Sequence, residues 1–202
     1  MAKEILPEIK NRKSITLFKE QDIEKDKIRA LIESAKCAPS SYNNQPWNYV
    51  FVHKSSTFRM EVEESLMVGN GWAKKAPYLI VVGADPDKDT TNNGVYYYLY
   101  DTGLSVMSLV LEAEHQGLKA HQMGGWEKEK LKKAVNFPDA INPIVVIALG
   151  YEETQDESMN DLKGIKSLIN KANETIKNMI IKPRKRKPTN QNFFFGAYPK
   201  KK

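Results

Sequence analysis

Residues 94–117 constrain the fold more than any other stretch of this chain. Val95, Leu99, Thr102, Val106, Leu109, Val110 and Ala113 recur at helical spacing and form a broad apolar stripe. Tyr98, Leu104, Met107 and Leu111 fall outside that stripe, so the predicted helix is apolar on most of its faces. Such a helix must be buried on most sides. In a chain of 202 residues that is easiest if a second subunit covers one of them. A chain of this length supports one sizeable core, so residues 1–202 are read as a single domain.

Periodicity predicts further helices at about 3–12, 23–37, 55–68 and 127–135, with strands at 47–53, 78–84, 119–123 and 143–150. Ile28, Leu31, Ile32 and Ala35 give the second helix its buried face, and Pro39 stops it. Strands and helices interleave but helices predominate, which implies an α+β fold, a sheet covered by helices. Tyr96-Tyr97-Tyr98 fits either a strand or the start of the long helix. Beyond Tyr151, an acidic linker (Glu152, Glu153, Asp156, Glu157) leads to Leu162, Ile165, Leu168, Ile169, Ala172, Ile176, Met179 and Ile180. Their spacing predicts an amphipathic helix at about 158–181, either packing against a partner subunit or forming a lid; packing is the expectation.

With 41% hydrophobic and 28% charged residues the chain reads as soluble and globular. No run approaches the ~18 apolar residues of a membrane span, and Met-Ala-Lys-Glu has no signal-peptide core, so a cytoplasmic location is expected. Cys37 is the only cysteine, which excludes an intrachain disulfide; it is read as a small buried hydrophobe rather than a reactive thiol. Residues 182–202 hold eight Lys/Arg and no acid, so the remaining 23 basic residues face 25 acidic ones. The net charge of +6 is therefore a property of the basic C-terminal tail, and nucleic-acid binding is not expected of the body.

Between the second helix and the first strand lies Cys37-Ala-Pro-Ser-Ser-Tyr-Asn-Asn-Gln-Pro-Trp47, a cluster of hydroxyl and amide side chains stiffened by two prolines. It is either a plain turn or a loop that offers hydrogen bonds to a planar polar ligand at low ordering cost. This segment, with Arg12-Lys13-Ser14-Ile15-Thr16-Leu17-Phe18 before it, resembles the opening of the nitroreductase family of FMN-dependent flavoenzymes. The resemblance continues in order through Asn70-Gly-Trp-Ala-Lys-Lys-Ala-Pro77, Asp101-Thr-Gly-Leu, His121-Gln-Met-Gly-Gly-Trp126, Pro143 to Gly150, and Arg186-Lys-Pro188 with Phe195-Gly196.

The resemblance implies a nitroreductase-like fold, a central mixed sheet flanked by helices with the long helix at a homodimer interface and an FMN at each end of it. FMN, tightly but non-covalently bound, needs cations and N–H donors for its phosphate, and apolar walls with amide partners for its ring. Arg12, Lys13 and Ser14, with Arg184 and Arg186 from the other end of the chain, are the implied phosphate partners. Thr16 stands where many relatives carry a second basic residue, which shifts that load toward Lys13 or Arg184. Pro39, Ser40, Ser41 and Asn43 match positions that line the ring, in such dimers the ring held mainly by the other subunit, and Asn70 matches an asparagine at the flavin rim. Gln122, Met123, Gly124 and Gly125 match the segment crossing near flavin N5, where glycines admit backbone N–H groups to the ring. His121 is read as structural.

The activity implied is NAD(P)H oxidation by ping-pong hydride transfer through N5 to nitroaromatic, quinone or related small-molecule acceptors. NAD(P)H visits transiently, consistent with the lack of a Rossmann fingerprint, and no catalytic side chain or metal ligand is required of the protein. A flavin-binding or regulatory protein of low turnover is the alternative on the same fold.

Overall fold

A computed structural model of the chain describes residues 4–153, 186–188, 192, 194 and 196. The chain divides into two units, residues 1–161 and 162–202, and the fold below is that of the first. The helix expected at about 158–181 and Arg184 lie outside the described residues.

Helices α1 (Pro7–Asn11) and α2 (Lys25–Lys36) precede strand β1 (Trp47–His53), and α3 (Arg59–Ser65) then leads through 3-10 turns at Val68–Lys75 into β2 (Tyr78–Ala84). A two-strand hairpin, β3 (Thr91–Asn92) and β4 (Val95–Tyr96), opens directly into the long helix α4 (Tyr97–His115). Strand β5 (Lys119–Met123), helix α5 (Lys128–Ala134) and strand β6 (Asn142–Gly150) complete the unit. β1, β2 and β5 begin and end where periodicity predicts. The helices start later: Pro7 fixes the first turn of α1, and pairing of Val95-Tyr96 with Thr91-Asn92 delays α4 to Tyr97. The helix expected over 55–68 ends at Ser65, and the glycine-bearing stretch after it winds as 3-10 turns.

Among the described residues the main sheet has the order β1-β2-β6-β5 and each of its pairings is antiparallel, where the family resemblance implied a mixed sheet. The reason is connectivity. β1 and β2 are neighbours joined through α3, and β5 and β6 are neighbours joined through α5, so each return re-enters at the end it left. Among the described elements α4 alone crosses the sheet, carrying the chain from β2 to the far edge strand β5. Its 19 residues span about 28 Å.

Both faces of the sheet are covered, so β2 is a continuous apolar run whose alternate residues serve different cores. Leu79 and Val81 join Val62, Ala73, Leu131 and Val146 on one face, while Ile80 and Val82 join Leu31, Val106, Leu109 and Leu149 beneath α2 and α4 on the other. Tyr49 ties three elements of that second layer. Its hydroxyl meets Ser105 Oγ at 2.8 Å and Ser105 donates to the Ala35 carbonyl at 2.9 Å; burial pushes the Tyr49 phenol up to about 12. On α4 the buried stripe is Asp101, Thr102, Ser105, Val106, Leu109, Val110 and Ala113. Val95 and Leu99, expected within it, are exposed together with Tyr96, Tyr100 and Met107, as are Leu6 and Ile9 of the neighbouring α1 region. Among the described residues these exposed side chains are apolar surface in the α1 region, on the β3–β4 hairpin and on α4.

Candidate functional site

Three of the segments singled out in the sequence meet beside the edge strand β5. The Gly125 carbonyl accepts two hydrogen bonds, from Asn70 Nδ2 at 2.8 Å and from the Met67 backbone N–H at 3.0 Å. A Cβ on Gly125 would stand 2.8 Å from Asn70 Nδ2, so this close approach requires glycine. Strand β5 is joined in turn to the N-terminal segment, because His121 Nδ1 donates to the Ile15 carbonyl at 2.6 Å. The His121 ring stacks on Trp72 with centroids 4.3 Å apart, and Trp72 stacks on Phe18 at 6.2 Å. Residues 12–18, 70–72 and 121–125 are therefore one assembly, and His121 has the structural role expected of it.

The polar atoms of this assembly differ in availability. Lys13 Nζ lies 2.6 Å from Glu152 Oε1, so its charge is already offset, whereas Arg12 has no ion pair among the described residues. Gln122 is exposed on β5, whose outer edge has no ladder partner among the described residues. The Met123 side chain is buried in the core, which leaves its backbone as the part of the residue that the expected contact would use. Gly124 has open space where a Cβ would stand. The buried Trp126 indole N–H next to it has no hydrogen-bond partner among the described residues. Free N–H donors, a carboxamide, an unneutralised guanidinium and a glycine-lined opening suit a flat heterocycle carrying a phosphate, so the residues present fit an FMN.

The loop from Pro39 to Gln45 is built differently. Tyr42, Asn43 and Gln45 have φ of 49°, 59° and 47°, left-handed values at three side chains that carry a Cβ. That backbone costs roughly 1–2 kcal/mol at a residue such as Tyr42, less at an asparagine. Pro39, Tyr42 and Asn43 are exposed. The Gln45 backbone N–H donates to Ser40 Oγ at 3.0 Å, and Ser41 Oγ meets Thr90 Oγ1 at 2.9 Å. The Ser41 backbone N–H donates to Asp101 Oδ2 of α4 at 2.6 Å. Cys37, expected to be buried, is exposed because it is the C-cap of α2, where the chain turns off the helix into this loop.

Within the chain these two groups do not meet. The loop enters β1 and is anchored near the start of α4, while the other assembly lies at β5, the opposite sheet edge three strand spacings or about 14 Å away. The N-terminal segment is tied instead to the far end of α4, where His115 Nδ1 and Glu8 Oε1 are 2.9 Å apart. Arg186 is described, exposed, and belongs to the second unit.

Two structural residues escaped the sequence reading. Arg59 is 4% exposed; its Nε meets Glu63 Oε1 at 2.7 Å and its Nη2 donates to the Ala76 carbonyl at 2.8 Å, pinning the turns that carry Asn70. Asp101, 2% exposed, was read only as part of a motif. Its signal was an acid falling on the buried stripe with Ser105 and Leu109, at i, i+4 and i+8.

A sequence profile of the Nitroreductase family matches residues 9–69 and 54–151, and the chain belongs to that family. It is 24% identical over 152 residues to a provisionally named NADH dehydrogenase/NAD(P)H nitroreductase of Methanothermobacter thermautotrophicus, covering 73% of this chain and 77% of that protein. It is 26% identical to an iodotyrosine deiodinase of Thermotoga neapolitana, covering 71% of this chain and 86% of the relative. Among solved structures, an oxidoreductase containing FMN superposes with a TM-score of 0.79 at 26% identity, over 100% of this chain and 96% of that one.

Proposed function

We propose that this protein is an FMN-dependent NAD(P)H oxidoreductase that passes electrons to nitroaromatic, quinone or related small-molecule acceptors. Membership of the nitroreductase family makes it an oxidoreductase. The observation that carries the cofactor is the convergence of residues 12–18, 70–72 and 121–125 at the end of β5, tied through His121 and Asn70. The similar oxidoreductase containing FMN adds support.

In this reading Arg12 and Ser14 hold the phosphate. Asn70 keeps its carbonyl oxygen for the ring rim while its amide stays on Gly125. The backbone at Gln122–Gly125 offers N–H groups where negative charge develops, which favours the reduced state. FMN supplies the hydride-accepting and hydride-donating chemistry; the protein positions both reactants on one open face and excludes water. Pro39, Ser40, Ser41 and Asn43 complete the ring's surroundings from a second protomer, because in their own protomer they lie at the opposite sheet edge. The exposed side chains of Leu99, Tyr100, Met107 and Ile9 supply the apolar surface for that homodimer.

An absorbance spectrum of the purified protein, followed by anaerobic titration with NADH and NADPH, tests the proposal. A flavin spectrum bleached by a nicotinamide and restored by menadione or nitrofurazone is the expected result. Protein that stays colourless after FMN is added defeats it. The likeness to an iodotyrosine deiodinase favours a second acceptor class, which iodide release from iodotyrosine by the reduced protein would reveal.

A further inference from the structure

We propose that Asp101 is a positioning residue of the cofactor site, holding the Pro39–Gln45 loop in its ligand-facing conformation through the Ser41 N–H. The inference rests on the reading of that loop as a flavin contact. Its first support is that the loop does not hold itself. Tyr42, Asn43 and Gln45 occupy left-handed backbone, and Tyr42 is 89% exposed, so no packing of its ring keeps it there. Internal bonds from Asn43 N–H to the Ser40 carbonyl and from Asn44 N–H to the Ser41 carbonyl close the turn without fixing it to the body.

The tethers to the body all end on two neighbouring carboxylates or beside them. Ser41 N–H donates to Asp101 Oδ2, Ser41 Oγ meets Thr90 Oγ1, and Asn44 Nδ2 donates to Asp89 Oδ1 at 3.2 Å. Thr90 is itself held by its N–H on Asp89 Oδ1 at 2.7 Å. Of these anchors Asp101 is the least exposed residue, and its 2.6 Å bond is the shortest of the three.

Asp101 has no task on its own helix that would explain it. α4 begins at Tyr97 with Tyr96 as its cap, so Asp101 lies a full turn inside and caps nothing. It accepts instead from a backbone N–H sixty residues earlier in the chain. Keeping a carboxyl there is unfavourable: burial raises its affinity for a proton, the Ser41 N–H opposes that, and the nearby Asp89 adds to it. A buried acid whose hydrogen bond reaches a strained loop acts on that loop.

The test compares wild type, Asp101→Ala and Asp101→Asn by FMN titration, visible flavin spectrum and exchange of the Ser41 amide hydrogen. Wild type must first take up FMN; if it does not, the reading of the site has failed and not the tether. Given uptake, Asp101→Ala is expected to weaken FMN roughly tenfold or more, shift the flavin band envelope and release the Ser41 amide to fast exchange. Asp101→Asn retains an acceptor oxygen for Ser41 and is expected to restore affinity and spectrum to near wild type. Unchanged affinity and spectrum in Asp101→Ala would overturn the inference. So would equal loss in both variants together with equally lowered melting of the flavin-free proteins, since that marks a merely structural residue. Should Asp101→Ala not fold, Asp101→Asn and the wild-type exchange rate still decide: a fast-exchanging Ser41 amide in wild type rejects the tether.

Discussion

The loop over Pro39–Gln45 and the assembly at the end of β5 are held in opposite ways. The loop is exposed, bends through left-handed backbone and is secured from outside by Asp101, Asp89 and Thr90. The β5 assembly is secured from within, because its own members bond one another: Asn70 and Met67 on Gly125, His121 on Ile15, Trp72 between Phe18 and His121. Each region is therefore vulnerable at a different place. Damage to the β5 assembly should reach the core, whereas damage to the loop should leave the fold intact and act on ligands alone.

Breaking the inward-held region is expected to have the largest effect. Arg59→Leu removes the guanidinium from Glu63 and from the carbonyls of Val52, Ala73, Lys74 and Ala76. A loss of about 3–5 kcal/mol is expected for uncovering such a partly buried charge, read by denaturant titration. Arg12→Ala should leave melting almost unchanged and weaken FMN by about tenfold to a hundredfold, the worth of one or two charge-assisted hydrogen bonds. Mixing flavin-poor Arg12→Ala with Asp101→Ala sharpens the comparison. If the loop serves the partner's cofactor, each mixed dimer regains one intact site, and about a quarter of wild-type activity returns on subunit exchange. No recovery would place both regions on the same site in one protomer.

Gly125→Ala forces Asn70 Nδ2 away from the carbonyl it donates to, so about 1 kcal/mol of stability and a displaced reduction potential are expected. The smallest effect concerns α1. Its Glu8 bond raises the His115 imidazole and lowers the Glu8 carboxyl. A raised histidine stabilises fully below its unfolded value of 6.5 and ceases to as pH climbs through its folded value. A lowered carboxyl stabilises fully above 4.5 and ceases to as pH falls through its folded value. Protection of the Arg12 amide, which donates to the Glu8 carbonyl, should therefore be flat between 4.5 and 6.5 and decline on either side. Constant protection from pH 5 to about 9 would remove the tether from the account.

Much of this architecture is legible in the residues, for physical reasons that differ by element. Trp47–His53 and Tyr78–Ala84 can be bounded because a proline precedes each largely apolar run, and Lys119–Met123 because Gly117 and Gly124 stand on either side of it. The orientation of the sheet is not legible, since residue order does not say which strands become neighbours. Cys37 misled because burial was inferred from residue type, while its position at a helix end decides its exposure. The β5 assembly was found piecewise through family likeness, but nothing in the spacing announces that His121 reaches Ile15 across 106 residues. Asp101 shows the same limit: one acid among apolar neighbours carries no label saying whose amide it will meet.

The antiparallel order β1-β2-β6-β5 also sets an assembly sequence. β1 with β2, and β5 with β6, are each close along the chain and can zip early, whereas the central seam that registers Ala84 against Asn142 must wait until α4 has formed. Because the loop's anchor sits on α4 and the β5 assembly hangs on the opposite pair, neither region matures until that last seam closes. Slow folding kinetics and late acquisition of flavin should then share one rate constant.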